Sequence, residues 1–487
     1  MSEYNITLRV GGGNSVISSD GIMSVYIQNS GQILLDDMSM FAELYVTNFN
    51  TVTSLDPSYV DKYKLKSTCA SWNDAFGGMS KVTSFPEAFW NYSNMKYADS
   101  IFSECRSIVE CPIDFTKTNA TQMHDAFYNC HSLEQPPVLP KTVTNLYGCF
   151  SECINLKKVP EIPEGAKNCR EMFFSCENIT EAPVIPSSVN NIREMFNYCT
   201  NLRGTILVYT NTIANAYEFV GNEEYAKTIY CYEGSTTMES LKSAKKDWWN
   251  ATILPFNVVT NIAALVDRTN DMWTSYTEIP VEYTPSAGIE TSLVQDWSNT
   301  FKGAKSITAL PRPMYNMKSS VNCESMFEEC NTLGDASSIK FGNSTTSISK
   351  CFLNDRSLTN IPYIPNGVTN MDYAFAGCDS LSVLPELPES VVSMNYTFKN
   401  CMSHGVINYS IPNNVKYLVG TFDTDEWVTG DVYIHSDIVE DATDFMANHH
   451  DPTNIWVHAD TKTYNSFYRA MGNSTYNSNW VANLKTF

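Results

Sequence analysis

Hydrophobic residues recur along this chain in a short pattern that is clearest between residues 143 and 202. Each unit has an apolar residue or a cysteine four positions before a phenylalanine, and a cysteine three positions after it. Phe150, Phe173 and Phe196 follow one another at intervals of 23 residues. A fixed period of this length predicts a solenoid, in which each unit packs on the next one.

The spacing within one unit predicts its local structure. Positions i, i+4 and i+7 lie on one face of a helix, so the stretch around each phenylalanine is expected to form a short helical turn. Proline lacks the N–H that a β-ladder needs, so a strand between two prolines is limited to about two or three residues. A Pro-x-Ile/Leu-Pro segment follows the turn at 137–140, 160–163, 183–186, 362–365 and 385–388. Each unit is therefore expected to combine a helical turn with a stub of strand.

The complete pattern occurs twice in the chain. The phenylalanines of the first array are Phe76, Phe102, Phe127, Phe150, Phe173, Phe196 and Phe219. Those of the second array lie 225 or 226 residues later, at Phe301, Phe327, Phe352, Phe375, Phe398, Phe422 and Phe445. Trp72 corresponds in the same way to Trp297. These matches predict a tandem duplication with a join near residues 257–270.

Each array is expected to end in a closing segment that covers its core. After the last repeat of the first array, residues 229–232 predict a strand, and a capping box beginning at Thr236 predicts a helix. Trp249 and Phe256 are expected to complete this cap, because the end of a solenoid needs an atypical cover. Residues 455–487 form the corresponding segment of the second array.

Residues 1–40 precede the repeats and show a different pattern. Apolar residues alternate with polar ones at 4–10 and at 23–27, and a glycine-rich turn at 11–15 separates the two stretches. A third apolar stretch at 33–35 completes a predicted three-stranded meander. So small a segment is expected to rest on the first repeat or on another chain, where it would act as an anchor.

Composition and charge narrow the classes of partner. Hydrophobic residues make up 43% of the chain and charged residues 17%, which predicts a folded protein. The net charge of −21 opposes binding to nucleic-acid phosphates and to anionic lipids. No stretch reaches the roughly 18 consecutive apolar residues of a membrane span, so no membrane insertion is predicted. Met1 to Ile6 contain no basic region followed by an apolar run, so no secretory signal is expected and synthesis in the cytoplasm is predicted.

The fifteen cysteines are interpreted mainly as core residues. A buried free thiol behaves as a small hydrophobic group. Disulfides or a metal site are the alternatives, although the Cys-x2-Cys spacing of zinc sites does not occur. Eight cysteines share one repeat position, namely Cys105, Cys130, Cys153, Cys176, Cys199, Cys330, Cys378 and Cys401.

Candidate chemistry is sparse. None of the seven histidines has a Cys, Ser or carboxylate partner at a recognised catalytic spacing. His449, His450 and Asp451 could bind a metal, but a polar loop is the favoured interpretation. Residues 423–426 are acidic but are not followed by the glycine and distal glutamate of a calcium loop. We therefore predict no enzyme activity, no catalytic residue, no metal and no cofactor.

The variable position inside each Pro-x-Ile/Leu-Pro segment is the candidate recognition face. If the strand stubs stack, these side chains lie on successive units and face outward. Their variety fits a binding surface, and drift at a solvated position is the alternative. The residues are Val138, Glu161, Val184, Tyr363 and Glu386.

The repeated unit resembles a known repeat. The segments 185–202 and 364–381 both read Ile-Pro-x-x-Val-x-Asn-x-x-x-x-Phe-x-x-Cys-x-x-Leu, which is similar to the BspA-type leucine-rich repeat. The resemblance covers about 66–256 and 290–487. It implies an α/β repeat solenoid made of two tandem arrays behind a small N-terminal β segment. The expected domains are 1–40, 41–256 and 257–487.

The resemblance also implies a function, because such repeats occur in bacterial surface adhesins, protist surface proteins and bacteriophage virion proteins. We expect a non-enzymatic structural or recognition protein, made in the host cytoplasm and assembled into a bacteriophage virion as a tail, appendage or fibre protein. Its expected partners are other virion proteins or a host surface receptor, within a larger assembly. A bacterial cell-surface adhesin is the alternative, and a hydrolase of surface polysaccharides is the third possibility.

Overall fold

A computed structural model shows the fold of most of the chain. It describes residues 4–6, 13–17, 22–27, 34–37, 54–56, 66–83, 93–221, 225–264, 266, 272–273, 276–311, 314–381, 383–401, 405–423, 428–446, 453–473 and 484–487. The chain divides into two compact units, Met1–Phe256 and Asn257–Phe487. We call them unit 1 and unit 2. Each unit has its own continuous hydrophobic core, which contains one array of phenylalanines.

Each repeat forms one rung of a β-solenoid that contains few helices. The helical turn predicted around each phenylalanine is wrong, because two residues per rung adopt left-handed backbone angles that a right-handed helix excludes. In the rung of Phe173 these are Glu171, with φ 53°, and Ser175, with φ 56°. The amide of Phe173 donates to the carbonyl of Met195 in the next rung, at 3.0 Å. Tight turns joined by bonds between rungs thus replace a helix.

A ladder of short polar side chains accounts for the asparagine of the repeat. Asn145, Asn168 and Asn191 form single-residue parallel bridges with one another on successive rungs. The Asn168 side-chain amide donates to Oδ1 of Asn145 at 3.0 Å. The Oδ1 atom of Asn168 accepts the backbone N–H of Arg170 at 3.2 Å, which fixes the turn that follows. Each asparagine therefore bonds along its own rung and across to its neighbour.

The phenylalanines form the core of both units, as the sequence predicted. Every phenylalanine of the two arrays is buried, from Phe76 to Phe219 in unit 1 and from Phe301 to Phe445 in unit 2. In the middle of unit 1, Phe150 and Phe173 are stacked with ring centroids 5.8 Å apart. The last pair of each array is edge-to-face, with interplanar angles of 67° in unit 1 and 89° in unit 2. Both geometries are favourable for aromatic rings.

The eight aligned cysteines are buried and free, and their thiols also act as hydrogen-bond donors. Cys176 Sγ donates to the carbonyl of Phe150 in the preceding rung at 3.0 Å, and Cys378 Sγ donates to Phe352 at 3.1 Å. Burial raises the pKa of the Cys153 thiol to about 12, so the thiols stay protonated and unreactive at neutral pH. The cysteine position therefore contributes hydrogen bonds between rungs in addition to burying a small apolar side chain.

Within each array of rungs, extended strands concentrate at the C-terminal end. The predicted strand stubs between prolines form no extended strand in the described rungs. In unit 1, β7 (Gly204–Leu207), β8 (Lys227–Cys231) and β9 (Ala251–Pro255) form a parallel sheet. In unit 2, the parallel sheet has the order β12, β13, β14 and β15, which span Gly405–Ile411, Val428–Ile434, Thr453–Val457 and Leu484–Thr486. We call these two sheets the terminal sheets.

One helix belongs to each closing segment. Helix α1 (Thr236–Ala244) starts one residue after its cap, because Ser235 Oγ accepts the amide of Met238 at 3.0 Å. The cap predicted at Thr236 is thus displaced by one residue. Helix α2 (Lys462–Asn473) places Phe467 edge-to-face against Phe445, with centroids 5.2 Å apart, and so covers the last ring of the array.

The N-terminal strands differ in part from the predicted meander. Strands β1 (Tyr4–Ile6), β2 (Gly13–Ile17) and β3 (Ile22–Ile27) are antiparallel neighbours. Residues 13–15, predicted as part of a turn, therefore belong to a strand. Strand β4 (Leu34–Asp37) does not continue this sheet, because it pairs in parallel with β6 (Lys66–Ser71).

The remaining elements are short. Strand β5 (Ser54–Asp56) pairs in parallel with β3, and β10 (Asn257–Val258) pairs in parallel with β11 (Ile289–Glu290). Single 3-10 turns occur at Phe115–Lys117, Ile262–Ala264, Val281–Tyr283 and Pro285–Ala287.

Candidate recognition face

The predicted recognition residues occupy one position of successive rungs. The bridges between Asn145, Asn168 and Asn191 fix a register of 23 residues, which relates Val138 to Glu161 and Glu161 to Val184. Val138 is 71% exposed and Tyr363 is 66% exposed, which places them among the most exposed large apolar side chains of the described residues. Glu161 and Glu386 are also exposed, whereas Val184 is half-buried.

Val184 is half-buried because it packs beside the terminal sheet of unit 1. Ile185 bridges Val208, and the amide of Ile185 donates to the carbonyl of Leu207 at 2.9 Å. The register therefore places Val184 next to Leu207, and Leu207 pairs with Tyr230. The predicted column thus continues onto the outward side of the terminal sheet of unit 1, a continuation that the repeat pattern does not predict.

The outward side of the terminal sheet of unit 1 carries a cluster of aromatic rings. Phe256 stacks on Tyr209 with centroids 5.0 Å apart, and it also contacts Tyr230 at 6.2 Å and Tyr232 at 5.2 Å. Leu207, Tyr209 and Phe256 are buried in this cluster. The rings of unit 1 therefore cover one another and leave little aromatic surface exposed.

The terminal sheet of unit 2 carries a corresponding cluster that is more exposed and more polar. Phe487 contacts Tyr433 and Trp456, each at 6.2 Å, and it also contacts His435 at 5.6 Å and His458 at 4.9 Å. The ring of Phe487 is 52% exposed. This cluster combines apolar surface with groups that form hydrogen bonds.

Polar side chains border the cluster of unit 2. The carboxylate of Asp431 accepts the hydroxyl of Tyr433 at 3.2 Å and the side-chain amide of Asn454 at 2.7 Å. The carboxylate of Asp437 lies 2.7 Å from Nδ1 of His458. Burial and the neighbouring Asp431 raise the pKa of the Tyr433 hydroxyl above its ordinary value, so this hydroxyl remains protonated well beyond neutral pH.

The sequence held a signal for these clusters, since Tyr230 and Trp456 lie 226 residues apart within strands that alternate apolar and polar residues. Which side of those strands faces outward depends on the pairing register, and that register is fixed only in the fold.

Other candidate chemistry is not assembled in the described part of the chain. No group of three or more His, Cys, Asp or Glu side chains is placed to hold a metal there. His449, His450 and Asp451 lie outside the described residues, as does most of the acidic segment at 423–426. No helix among the described residues has the length and apolar character needed to cross a membrane.

Comparison with known families supports the repeat assignment. A model of the BspA type leucine rich repeat region matches in six copies, over residues 123–239 and 298–422. The chain is a BspA-type leucine-rich repeat protein. A second model, described as a Mycoplasma protein of unknown function, DUF285, matches residues 35–161. BspA-type repeats fit a surface role in protein–protein recognition, and proteins built from them are typically non-enzymatic.

Solved structures with similarity to this BspA-type protein are bacterial. A leucine-rich repeat protein from Bacteroides ovatus is 14% identical with a TM-score of 0.22, covering 100% of this chain and 98% of that chain. One from Eubacterium ventriosum is 14% identical with a TM-score of 0.21, covering 82% and 95%. The pneumococcal vaccine antigen PcpA is 11% identical with a TM-score of 0.17, covering 98% and 96%. No curated protein matches the chain.

Proposed function

We propose that this protein is a non-enzymatic recognition protein. It binds a macromolecular partner through the terminal sheets and through the recognition column of each unit, which comprises Val138, Glu161 and Val184 in unit 1 and Tyr363 and Glu386 in unit 2. The observation that carries the proposal is the exposure of a large apolar side chain at the same repeat position in each unit, Val138 in unit 1 and Tyr363 in unit 2. Exposed apolar groups on a rigid frame bind with little loss of conformational entropy. A solenoid presents such groups as an extended surface.

The expected setting is a bacteriophage virion, and the alternative is the bacterial cell surface. In the first setting the protein is a tail, appendage or fibre component, and residues 1–40 are its expected anchor. Mass spectrometry of purified virions and of host envelope fractions separates the two settings. A chain containing only residues 41–487 should fail to enter particles, and its normal incorporation would contradict the anchor.

Binding through the column is tested with charged substitutions at its exposed apolar positions. The labelled full-length protein is sedimented with host cells and with envelope fractions, and the bound fraction is measured. Val138→Arg and Tyr363→Arg together should lower the apparent affinity at least about tenfold, because a guanidinium in an apolar contact is costly to desolvate.

Matched controls come from exposed valines outside the column. Val109 is 51% exposed and Val383 is 70% exposed, and each lies in the same unit as one tested residue. Val109→Arg and Val383→Arg add the same charge and should leave binding within about twofold. An equal loss with both pairs would show that charge alone matters, and no loss with either pair would contradict the proposed face.

A further inference from the structure

The outward side of the terminal sheet of unit 2 presents parallel rows of side chains. Strand register places Asn408 beside Asp431 and Asp431 beside Asn454, which forms a polar row. Two residues further along the strands, the same register forms a second row with the order Ser410, Tyr433, Trp456 and Lys485. Side chains two residues apart share a face of a sheet and are separated by about 7 Å.

A third row completes this surface, which we call the unit 2 platform. The amide of His435 donates to the carbonyl of Ile411 at 3.0 Å, and that of Phe487 donates to Val457 at 3.1 Å, so both residues extend the register by one position. His435, His458 and Phe487 are joined by the ring contacts described above. The platform thus has an aromatic centre with polar groups on both sides.

The platform offers hydrogen-bond donors and acceptors in mixed order. The Asn408 and Asn454 amides each carry both kinds of group, and the Asp431 carboxylate accepts only. The oxygens of Asp431 already accept Tyr433 and Asn454, so this carboxylate is held in place and retains lone pairs for a further donor. A ligand that both donates and accepts suits this set better than a purely cationic or anionic one.

The charges on and around the platform also favour a neutral ligand. Asp431 and Asp437 lie at the border of the platform, but Asp437 is paired with His458, and Lys485 adds a positive charge in the central row. With neutral histidines, Asp431, Asp437 and Lys485 give the platform a net charge of only −1. The whole chain has a net charge of −21, which repels polyanions at long range. A neutral ligand is repelled neither by the charges of the platform nor by the net charge of the chain.

Unit 1 supplies an internal comparison, because its terminal sheet has aromatic rings beside threonines instead of amide and carboxylate groups. Thr205 and Thr228 occupy the places of Asp431 and Asn454. Phe256, the counterpart of Phe487, is only 7% exposed. The duplicated sheets therefore differ in the features that would recognise a hydroxyl-rich ligand.

We propose that the unit 2 platform binds a neutral oligosaccharide. The C–H face of a sugar ring packs on the aromatic centre, and its hydroxyls, which donate and accept, bond to Asn408, Asp431 and Asn454. Aromatic surface combined with a few fixed polar groups is the usual composition of a ligand site. This inference rests on the proposed recognition function and names the class of partner at one part of that face.

The test uses the full-length protein and a panel of neutral oligosaccharides built from glucose, galactose, mannose and N-acetylglucosamine. Isothermal titration calorimetry should show saturable binding of at least one of them with a Kd below about 1 mM, the range of a weak specific complex. The affinity should change less than about twofold between 50 and 500 mM salt, because no ion pair is required.

Substitutions assign the binding to the platform. Trp456→Ala should weaken binding at least about tenfold, and Trp456→Phe should restore most of it because an aromatic ring is retained. Asp431→Asn removes a charge but keeps an acceptor, so binding should fall less than with Asp431→Ala. Tyr230→Ala in unit 1 is the matched control and should leave the affinity within about twofold.

The outcomes separate this inference from the proposed function. Absence of binding throughout the panel at about 10 mM, or an equal loss with Tyr230→Ala, would overturn the oligosaccharide assignment. Capture of a protein partner that depends on Trp456 would overturn it as well, while leaving the recognition function in place. Loss of saccharide binding with Trp456→Ala, without loss with Tyr230→Ala, supports it.

Discussion

Asp355 interrupts the cysteine ladder of unit 2 between Cys330 and Cys378. It lies three positions after Phe352, where eight other rungs have cysteine, and it is fully buried. Among the described residues, neither oxygen of its carboxyl has a hydrogen-bond partner of normal geometry, although the backbone amide of Cys330 lies nearby. Burial raises the pKa of this carboxyl well above its ordinary value, the backbone amide of Cys330 opposes the rise, and the nearby Glu328 adds to it. The neutral acid is therefore the form that the core accepts.

Asp355→Cys should stabilise the protein at neutral pH by about 1–3 kcal/mol, because it removes an unsatisfied buried polar group and restores a thiol donor. The folded-state pKa of Asp355 exceeds its unfolded value. This residue therefore lowers the free energy of unfolding as pH rises from the unfolded pKa, about 3.9, towards the folded pKa.

The pH dependence of denaturation distinguishes this cause from a general packing effect. In urea denaturation, the free energy of unfolding of the natural sequence should fall as the pH rises from 4 to 8. This fall should be smaller in Asp355→Cys. Asp379→Cys is the control, since the Asp379 side chain is 58% exposed, and it should change neither the stability nor its slope appreciably. A variant no more stable at pH 7 than the natural protein would show that the buried carboxyl carries no cost.

Phe173 represents the residues that hold the rungs together. Phe173→Ala should lower the free energy of unfolding by about 3–5 kcal/mol, because it removes a fully buried ring that stacks on Phe150 and on Phe196. Phe174 is the matched control, because it is the next residue but is only half-buried. Phe174→Ala should cost less than half as much in equilibrium denaturation. Equal losses at both positions would mean that the stack of rings is not the main source of stability.

At the scale of the element, the rung shows what the sequence could and could not predict. The period of the phenylalanines and the burial of the aligned cysteines followed from spacing alone. The helical turn did not form, because positions i, i+4 and i+7 also share a side in a rung of tight turns. Bonds between rungs, such as the one from Phe173 to Met195, decide between the two structures, and a local pattern does not contain them.

The candidate site was predictable to a similar extent. Val138 and Tyr363 could be picked out because flanking prolines mark the variable position. The platform of unit 2 could not be assembled in advance, because His435, Trp456 and Phe487 come from three strands whose register is set by long-range pairing.

Contact between rungs also restricts the backbone at Gly342, where other rungs have the second proline of the Pro-x-Ile/Leu-Pro segment. A Cβ atom added at Gly342 would lie 2.5 Å from the carbonyl oxygen of Lys318 and 2.6 Å from that of Met317, in the preceding rung. Both contacts involve backbone, so they cannot be relieved by rotating a side chain. Gly342→Ala should destabilise the protein by about 1–3 kcal/mol, the usual cost of overpacking.

Gly334 is the matched control in the same unit. A Cβ atom at Gly334 would lie 3.7 Å from the nearest backbone oxygen, that of Ser357, which is an ordinary contact. Gly334→Ala should change stability by less than about 1 kcal/mol, and it could be slightly stabilising through the unfolded state. Similar thermal shifts for the two variants would contradict the close approach at Gly342.

At the scale of the whole molecule, each unit contains what a solenoid needs to fold alone. Unit 2 has its own continuous core from Val259 to Ala470, and helix α2 covers the last ring of its array. We expect residues 257–487 to fold without unit 1, with one cooperative thermal transition and protection from proteolysis. A fragment comprising residues 353–487 is the control, because it lacks Phe352, on which Phe375 stacks, and all the rungs before it. It should melt at a lower temperature. If residues 257–487 gave no cooperative transition while the full chain did, stability would have to come from the presence of both units, and separate folding would be wrong.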